Sequence, residues 1–490
     1  MTRDRWPGAA LIDKPRHFIA GDWAAPAGGS TIDVEDPATG ERIGAIAAGN
    51  AQDIDRAVGA AQEAMARPVK WLATERQDAL LALAAAIDAH AEELARIEMR
   101  DGGKPISNAS RVDVPASAAI LRYFAGWATK LSGETTELSQ QGGARGFTLR
   151  EPVGVVGQII PWNYPLMGAA FKIGPAIAAG CALVLKPAEQ TSVSTLRLAE
   201  LTRACGFPPG FINVVTGAGA QAGGALVDHP GVSKIAFTGS TATGREIAAA
   251  CGRQMKRVTV ELGGKSPVIV MPDADLDAAA RAIATSIFFN TGQTCSAASR
   301  LLVHAGVAGA LLDRIAGIAG SMKIGRTDDP DTQLGPAISA VQRERIEGFV
   351  AGALATGARA ITGGDLREGP GYFVSPTVLS DVHAQAAALR EEIFGPVLCA
   401  VSFETTDLDE IAALANDTPY GLAAYAWTRD LSVANGLADR LQAGTVRINA
   451  CGGGDLSLPA GGVKASGFGR ENGRAGVEAY TELKTVTMAY

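Results

Sequence analysis

Histidine and cysteine are scarce in this chain. The five histidines stand far apart, at His17, His90, His229, His304 and His383, and no HExxH or similar metal spacing occurs. Six cysteines in 490 residues are scattered without a CxxC pair. That excludes a disulfide scaffold and a Cys-rich zinc module, and no metal is expected. Basic residues are not in excess: 44 Lys and Arg stand against 51 Asp and Glu, a net charge of −7. No basic domain or stripe offers a nucleic-acid footprint. No GxxxxGK[ST] is present, which argues against a P-loop hydrolase. A clean membrane span is missing too. The longest uncharged stretch, Pro152 to Phe171, contains Gln158, Pro161, Asn163 and Pro165 and reads as buried strand plus loop. Met1 to Ala10 has Arg3, Asp4, Arg5 and a proline but no apolar signal core. A soluble, cytoplasmic protein with no membrane partner is expected.

Apolar residues at 47% and charged residues at 19% make the composition globular. At roughly 150 residues per domain, the length suggests about three domains. Near the start, Asn50 is a candidate N-cap for a helix carrying Ile54, Val58 and Ala61. Thr74 to Arg100 reads as one helix, stopped by Asp101-Gly102-Gly103-Lys104-Pro105. Beyond residue 150 the pattern alternates. Val153–Ile160, Ala182–Leu185, Ile212–Val215 and Lys234–Thr238 read as strands, with Phe171–Ala179, Ser192–Cys205 and Gln221–Val227 as helices between them. A second alternation runs from about 265 to 450, and the whole predicts an α/β protein with parallel sheets.

Several segments can carry chemistry. Gly217-Ala218-Gly219-Ala220-Gln221-Ala222-Gly223 follows a strand but has one residue too many for GxGxxG, so a plain tight turn competes with a phosphate loop. Phe237-Thr238-Gly239-Ser240-Thr241 ends a strand and opens a helix, whose free N–H groups can take a pyrophosphate. Cys181, Cys205 and Cys399 lie in apolar runs and read as core thiols, whereas Cys251 and Cys451 have polar or glycine neighbours. Cys295 lies in the polar turn Asn290-Thr291-Gly292-Gln293-Thr294-Cys295-Ser296, where a reactive thiol is one reading among several. Glu261, at a strand end before Gly263-Gly264-Lys265, reads either as a buried base or as a strand-end carboxylate paired with a lysine.

Taken together, these segments resemble the aldehyde dehydrogenase superfamily, of the NAD-dependent, hydrolytic, non-acylating type. The motifs are Pro161-Trp162-Asn163-Tyr164-Pro165, Lys186-Pro187-Ala188-Glu189, Phe237–Thr241, Glu261-Leu262-Gly263-Gly264-Lys265, Gly292-Gln293-Thr294-Cys295, Glu391-Glu392-Ile393-Phe394-Gly395-Pro396 and Gly461-Gly462-Val463-Lys464. They occur in family order, with 34 residues from Glu261 to Cys295. The resemblance implies a Rossmann-like NAD-binding domain (1–129 and 152–262), an α/β catalytic domain (263–465) and a small β oligomerisation arm (130–151 and 466–490) in a homodimer or homotetramer.

The resemblance also implies roles. Cys295 attacks the aldehyde to give a thiohemiacetal, Asn163 and the Cys295 N–H hold the oxyanion, hydride passes to the nicotinamide, and Glu261 activates water against the thioester. Ile159, Pro161, Trp162, Lys186, Glu189, Gly219, Gly239, Ser240, Leu262, Glu392 and Phe394 match cofactor-binding positions. Glu189 suits ribose hydroxyls and repels a 2′-phosphate, which favours NAD over NADP. Lys172 and Glu471 match a suggested proton-relay pair, or else form a structural ion pair. The substrate tunnel maps to Tyr164, Met167, Gly168, Phe171, Phe289, Thr294, Gly454, Asp455, Leu458 and Ala460. Ala460, where many relatives have phenylalanine, and Gly452-Gly453-Gly454 imply a wide mouth for a bulky aromatic, terpenoid or long-chain aldehyde. Asp455 offers the alternative of an amino-aldehyde held by its ammonium group. A CoA-acylating relative typically lacks the base at the Glu261 position. A non-catalytic relative or a pure nucleotide-binding protein would not need the thiol and the base together.

Overall fold

Short β-branched runs form the strands of this protein, and alanine-rich stretches opened by polar caps form the helices that cover them. The computed structural model describes residues 7–139, 143–365 and 367–489. Met1–Trp6, part of the stretch read for a signal segment, and 140–142 and Tyr490, within the expected arm, lie outside the described residues.

Two large sheets organise the chain. The first has eight strands. Its centre runs Arg257–Glu261, Lys234–Thr238, Val156–Ile159, Leu183–Lys186 and Ile212–Val214, all parallel. In chain order this is a doubly wound sheet whose direction of growth reverses between Val156–Ile159 and Lys234–Thr238. Antiparallel strands close both edges: Gly467–Phe468 on Arg257–Glu261, and His17–Ile19 with Asp22–Ala24 beyond Ile212–Val214. The second sheet has seven strands, ordered Arg359–Thr362, Thr377–Ser380, Val397–Phe403, Arg300–His304, Pro267–Val270, Ala423–Trp427 and Thr445–Ile448, parallel except for the first pair. A third, antiparallel sheet joins Thr481–Ala489, Ala144–Pro152 and Thr135–Thr136. The central strands of both large sheets are buried on two faces, which is why they read as continuous apolar runs. Among the described residues no helix is long and apolar enough to cross a membrane.

Two expected elements divide. The run read as one strand at Val153–Ile160 is a hinge between sheets. Ala144–Pro152 belongs to the third sheet, Gly154 turns the chain at φ +120°, and Val156–Ile159 enters the first. A side chain at Gly154 would collide with Ser233, so glycine is required there for space as well as for φ. The helix expected over Thr74–Arg100 is two, Ala73–Ala89 and Ala91–Gly102. They meet at His90, which leaves the helical region (φ −112°, ψ +23°) with Nδ1 2.8 Å from the Ala86 carbonyl oxygen.

The N-terminal cap stands where the sequence placed it. Asn50 Oδ1 accepts from the N–H groups of Gln52 (2.9 Å) and Asp53 (3.2 Å), while Asp53 accepts the Asn50 N–H at 3.1 Å. This reciprocal box opens helix Ala51–Met65, which packs Ile54, Ala57, Val58 and Ala61 into the core of the first sheet. Asn50→Ala is expected to cost about 1 kcal/mol. It would be read as a lower midpoint of the first thermal transition, with Asn50→Asp retaining most of the wild-type midpoint.

Candidate functional site

Open α/β sheets bind ligands beyond the carboxyl ends of their strands, at the point where strand order reverses. Here that point lies past Ile159 and Thr238. A cleft of about 1070 Å³ opens there. Its wall holds all eleven expected cofactor residues (Ile159, Pro161, Trp162, Lys186, Glu189, Gly219, Gly239, Ser240, Leu262, Glu392 and Phe394) together with Asn163, Glu261 and Cys295. Residues drawn from six of the seven motifs, and from the glycine run at 217–223, thus share one surface.

The cleft wall suits a dinucleotide. Gly239 and Ser240 precede helix Thr241–Arg253, and Ser240 caps it by accepting the Thr243 N–H. Its N-terminal turn therefore faces the cleft with a positive dipole end. The glycine run is more than a turn. Gly219–Gly223 forms a π-helical turn that leads into Gly224–Asp228, and nothing lies within 4 Å of a side chain built at Gly219. Lys186, buried, pairs with Glu189 at 3.0 Å, and the Glu189 carboxylate stays a third exposed on the cleft side. Glu392 Oε1 accepts the Gly264 N–H at 3.0 Å, in a space that a side chain at Gly263 would fill. Phe394, in left-handed backbone at φ +57°, meets the Trp162 ring edge to face at 5.2 Å. Among the described residues no cluster of His, Cys, Asp or Glu could hold a metal ion.

Cys295 reaches the cleft by an unusual backbone path. Helix Leu276–Phe288 ends, and Asn290, Thr291 and Gly292 follow with φ of +51°, +57° and +68°. Left-handed backbone is costly for the β-branched Thr291 and persists only when its surroundings over-determine it. Asn290 Nδ2 donates to the carbonyls of Asn163 (3.0 Å) and Gln293 (3.2 Å), Thr291 Oγ1 donates to Gly335 O, and Gln293 Oε1 accepts the Ile338 N–H. A side chain at Gly292 would overlap Gly395. The Asn163 amide donates one N–H to the Gln293 carbonyl at 2.9 Å, which leaves its second N–H for a ligand.

Burial and neighbouring carboxylates set the charge states. Burial first, then Glu392 and Glu261, push the Cys295 thiol up to about 12. Burial, reinforced by Glu471, holds Glu261 well above the usual carboxylate range, against the pull of Lys172 and Arg470. Glu261 Oε1 has no hydrogen-bond partner among the described residues, and a side chain at Gly461 would come within 2.6 Å of it. Lys172 and Glu471 form an ion pair behind it. The other thiols differ in exposure: Cys181, Cys205, Cys251 and Cys399 are buried and Cys451 is half-buried.

None of the ten residues mapped to the substrate tunnel lies on the wall of this cleft. Tyr164, Met167, Gly168, Phe171, Phe289, Thr294 and Ala460 are half-buried, while Gly454, Asp455 and Leu458 are exposed. The Asp455 carboxylate is engaged within its own turn, accepting from the Ser457 N–H (2.8 Å) and hydroxyl (2.6 Å). Those two bonds hold it below the usual range.

Gln342 and Arg345 escaped the sequence reading. Both line the cleft from helix Ala340–Ala355. Gln342 donates to the carbonyls of Ile393 and Phe394, and Arg345 to that of Glu392. They brace the segment carrying Glu392 and Phe394, yet in sequence they are ordinary polar residues of a surface helix and carry no motif signal.

The raised thiol has a measurable consequence. In cofactor-free protein, carbamidomethylation of Cys295 by iodoacetamide is expected to accelerate about tenfold per pH unit from neutral into the alkaline range. Peptide mass analysis would follow it. A plateau below pH 8 would instead mean a thiolate already stabilised in the resting protein.

Comparison with known proteins agrees with this geometry. The model of the aldehyde dehydrogenase family matches residues 23–486. The phenylacetaldehyde dehydrogenase of Pseudomonas fluorescens is 44% identical over 483 residues, covering 96% of this chain and 95% of that one. An NAD+ complex of an aldehyde dehydrogenase from Bacillus cereus superposes with a TM-score of 0.95 at 41% identity, over 98% of both chains. The AldA indole-3-acetaldehyde dehydrogenase of P. syringae, solved with NAD+ and IAA, does so with a TM-score of 0.94 at 38% identity, over the full length of both. The family match covers most of the chain and the fold agrees with these relatives over nearly its full length, and the chain belongs to the aldehyde dehydrogenase family.

Proposed function

We propose that this protein oxidises an aldehyde to its carboxylate with NAD, through a covalent intermediate on Cys295. The observation that carries the reading is the convergence of Cys295, Glu261 and Asn163 on the one cleft that also collects the expected cofactor residues. NAD, when bound, supplies the acceptor for the two electrons that leave the thiohemiacetal. Lys186 and Glu189 would hold its adenine ribose, the turn at Gly239 and Ser240 its pyrophosphate, and Glu392 and Phe394 its nicotinamide half. Glu189 repels a 2′-phosphate and so disfavours NADP.

The protein residues divide the remaining work. The Cys295 thiol gives its proton to water in the cleft, because only the thiolate is nucleophilic, and the sulfur then attacks the carbonyl carbon. The free N–H of Asn163 and the backbone N–H of Cys295 stabilise the oxyanion. Glu261, once ionised, takes a proton from water, which attacks the thioester and releases the carboxylate. Its raised pKa makes it a strong enough base for that step and dictates the sign of the pH dependence. Hydrolysis falls as pH drops through the elevated Glu261 value. The Lys172–Glu471 ion pair supports a role for the two residues in passing that proton on.

The substrate is a bulky, neutral aldehyde, aromatic, terpenoid or long-chain. The reading is supported by alanine at 460 and glycines at 452–454, which carry no bulky side chain to narrow the mouth that the resemblance implies, and by relatives named for phenylacetaldehyde and indole-3-acetaldehyde. The amino-aldehyde alternative would need Asp455, whose carboxylate is committed to Ser457. CoA-acylating chemistry would have no use for Glu261. The protein assembles as a homodimer or homotetramer through the three-stranded arm, where Leu149, Leu483 and Met488 lie exposed.

Initial rates of cofactor reduction, with NAD or NADP and a panel of aliphatic, aromatic, terpenoid and amino-aldehydes, test this reading. NAD-dependent turnover of the bulky members is expected, and Cys295→Ala should abolish it. Glu261→Gln should release about one equivalent of reduced cofactor per site in a burst and then stall as the thioester. Turnover only with CoA would overturn the hydrolytic step, and preference for amino-aldehydes would overturn the substrate class.

A further inference from the structure

A buried charge cluster lies behind the proposed nucleophile, and the chemistry described above makes no use of it. Lys104, 4% exposed, sits between Asp113, 1% exposed, and Glu98, fully enclosed. Its Nζ donates to Asp113 Oδ2 and lies 3.7 Å from Glu98 Oε2. Glu98 Oε2 and Asp113 Oδ1 have no hydrogen-bond partner among the described residues, so Lys104 is the cation that compensates both. Burial pushes Glu98 up to about 6 and raises Asp113.

The cluster points at the Cys295 segment. Lys104 Nζ lies 4.3 Å from the centre of the Tyr164 ring, a cation over an aromatic face. At the far end of that ring the hydroxyl meets Thr294 Oγ1 at 2.7 Å, one residue before Cys295. Glu98 Oε1 also accepts the Leu166 N–H, which anchors the first turn of the helix that follows Tyr164. Gly103, at φ +69° against Pro37 and Pro336, turns the chain so that Lys104 enters this space.

We propose that Lys104 is a positioning residue: gripped by Asp113 and Glu98, it fixes the Tyr164 ring so that the tyrosine hydroxyl anchors Thr294 and, through it, the Cys295 thiol. The inference rests on the reading of Cys295 as the nucleophile. A salt bridge that served only packing would be equally satisfied anywhere in the core. This one is in contact with the ring that touches the thiol's own segment.

A double-mutant cycle on Cys295 alkylation tests the proposal. Alkylation by iodoacetamide, followed on the Cys295 peptide, needs no turnover. Failure of the catalytic reading would appear separately, as activity surviving in Cys295→Ala. Lys104→Met and Tyr164→Phe are each expected to change the alkylation rate about tenfold. The double variant should stay within about twofold of either single, because both break one chain of contacts. Lys104→Arg, which keeps a cation over the ring, should lie within about threefold of wild type. Independent, multiplying effects of the two substitutions would overturn the proposal, as would wild-type alkylation in Lys104→Met or no rescue by arginine. Should Lys104→Met fail to fold, Asp113→Asn carries the same cycle against Tyr164→Phe, with the same outcomes deciding.

Discussion

The site depends on a backbone constraint: three consecutive left-handed residues, Asn290 to Gly292, that carry the chain from a buried helix to the cleft. Such a path is unfavourable in isolation. It is held by the Asn163 carbonyl on one side and by the Gly335 carbonyl and the Ile338 N–H on the other. Asn163 follows the first large sheet, whereas Gly335 and Ile338 belong to the half of the chain built on the second. The turn is therefore a clasp between the two halves, and Cys295 sits at its end. The same clasp orients the Asn163 amide through Gln293, so the thiol and the proposed oxyanion donor are set by a single feature.

Glycine recurs wherever parts of the site approach closely. Gly263 and Gly264 let the Glu392 carboxylate and the Cys295 carbonyl lie against the end of strand Arg257–Glu261, and Gly461 leaves room for the Glu261 carboxylate. The result is a crowded, poorly hydrated set of acids. That crowding raises Glu261 and the thiol together.

Much of the fold was legible because its signals are local. Lys234–Thr238 has the predicted bounds, since a buried parallel strand is a short apolar run between turn residues. Asn50 could be read as a cap because its partners lie two and three residues away. The errors share one cause. Gly154 looked like a tolerated glycine inside a strand, and His90 like a tolerated histidine inside a helix. Each breaks its element through contacts the periodicity does not contain: Ser233 for the first, and for the second a side chain that turns back on its own helix.

The sequence by itself determined the family, the order of the chemistry-bearing motifs and the residues that gather at the cleft, because each motif pairs a reactive side chain with the glycines or prolines its backbone needs. Only the tertiary structure decided what stands behind those residues. Gln342 and Arg345 brace the Glu392 segment from a distant helix. Lys104 reaches Tyr164 across a 60-residue gap in the chain. Such contacts depend on which elements the two sheets bring together, and side-chain packing over that separation leaves no periodic or spacing signal in the chain.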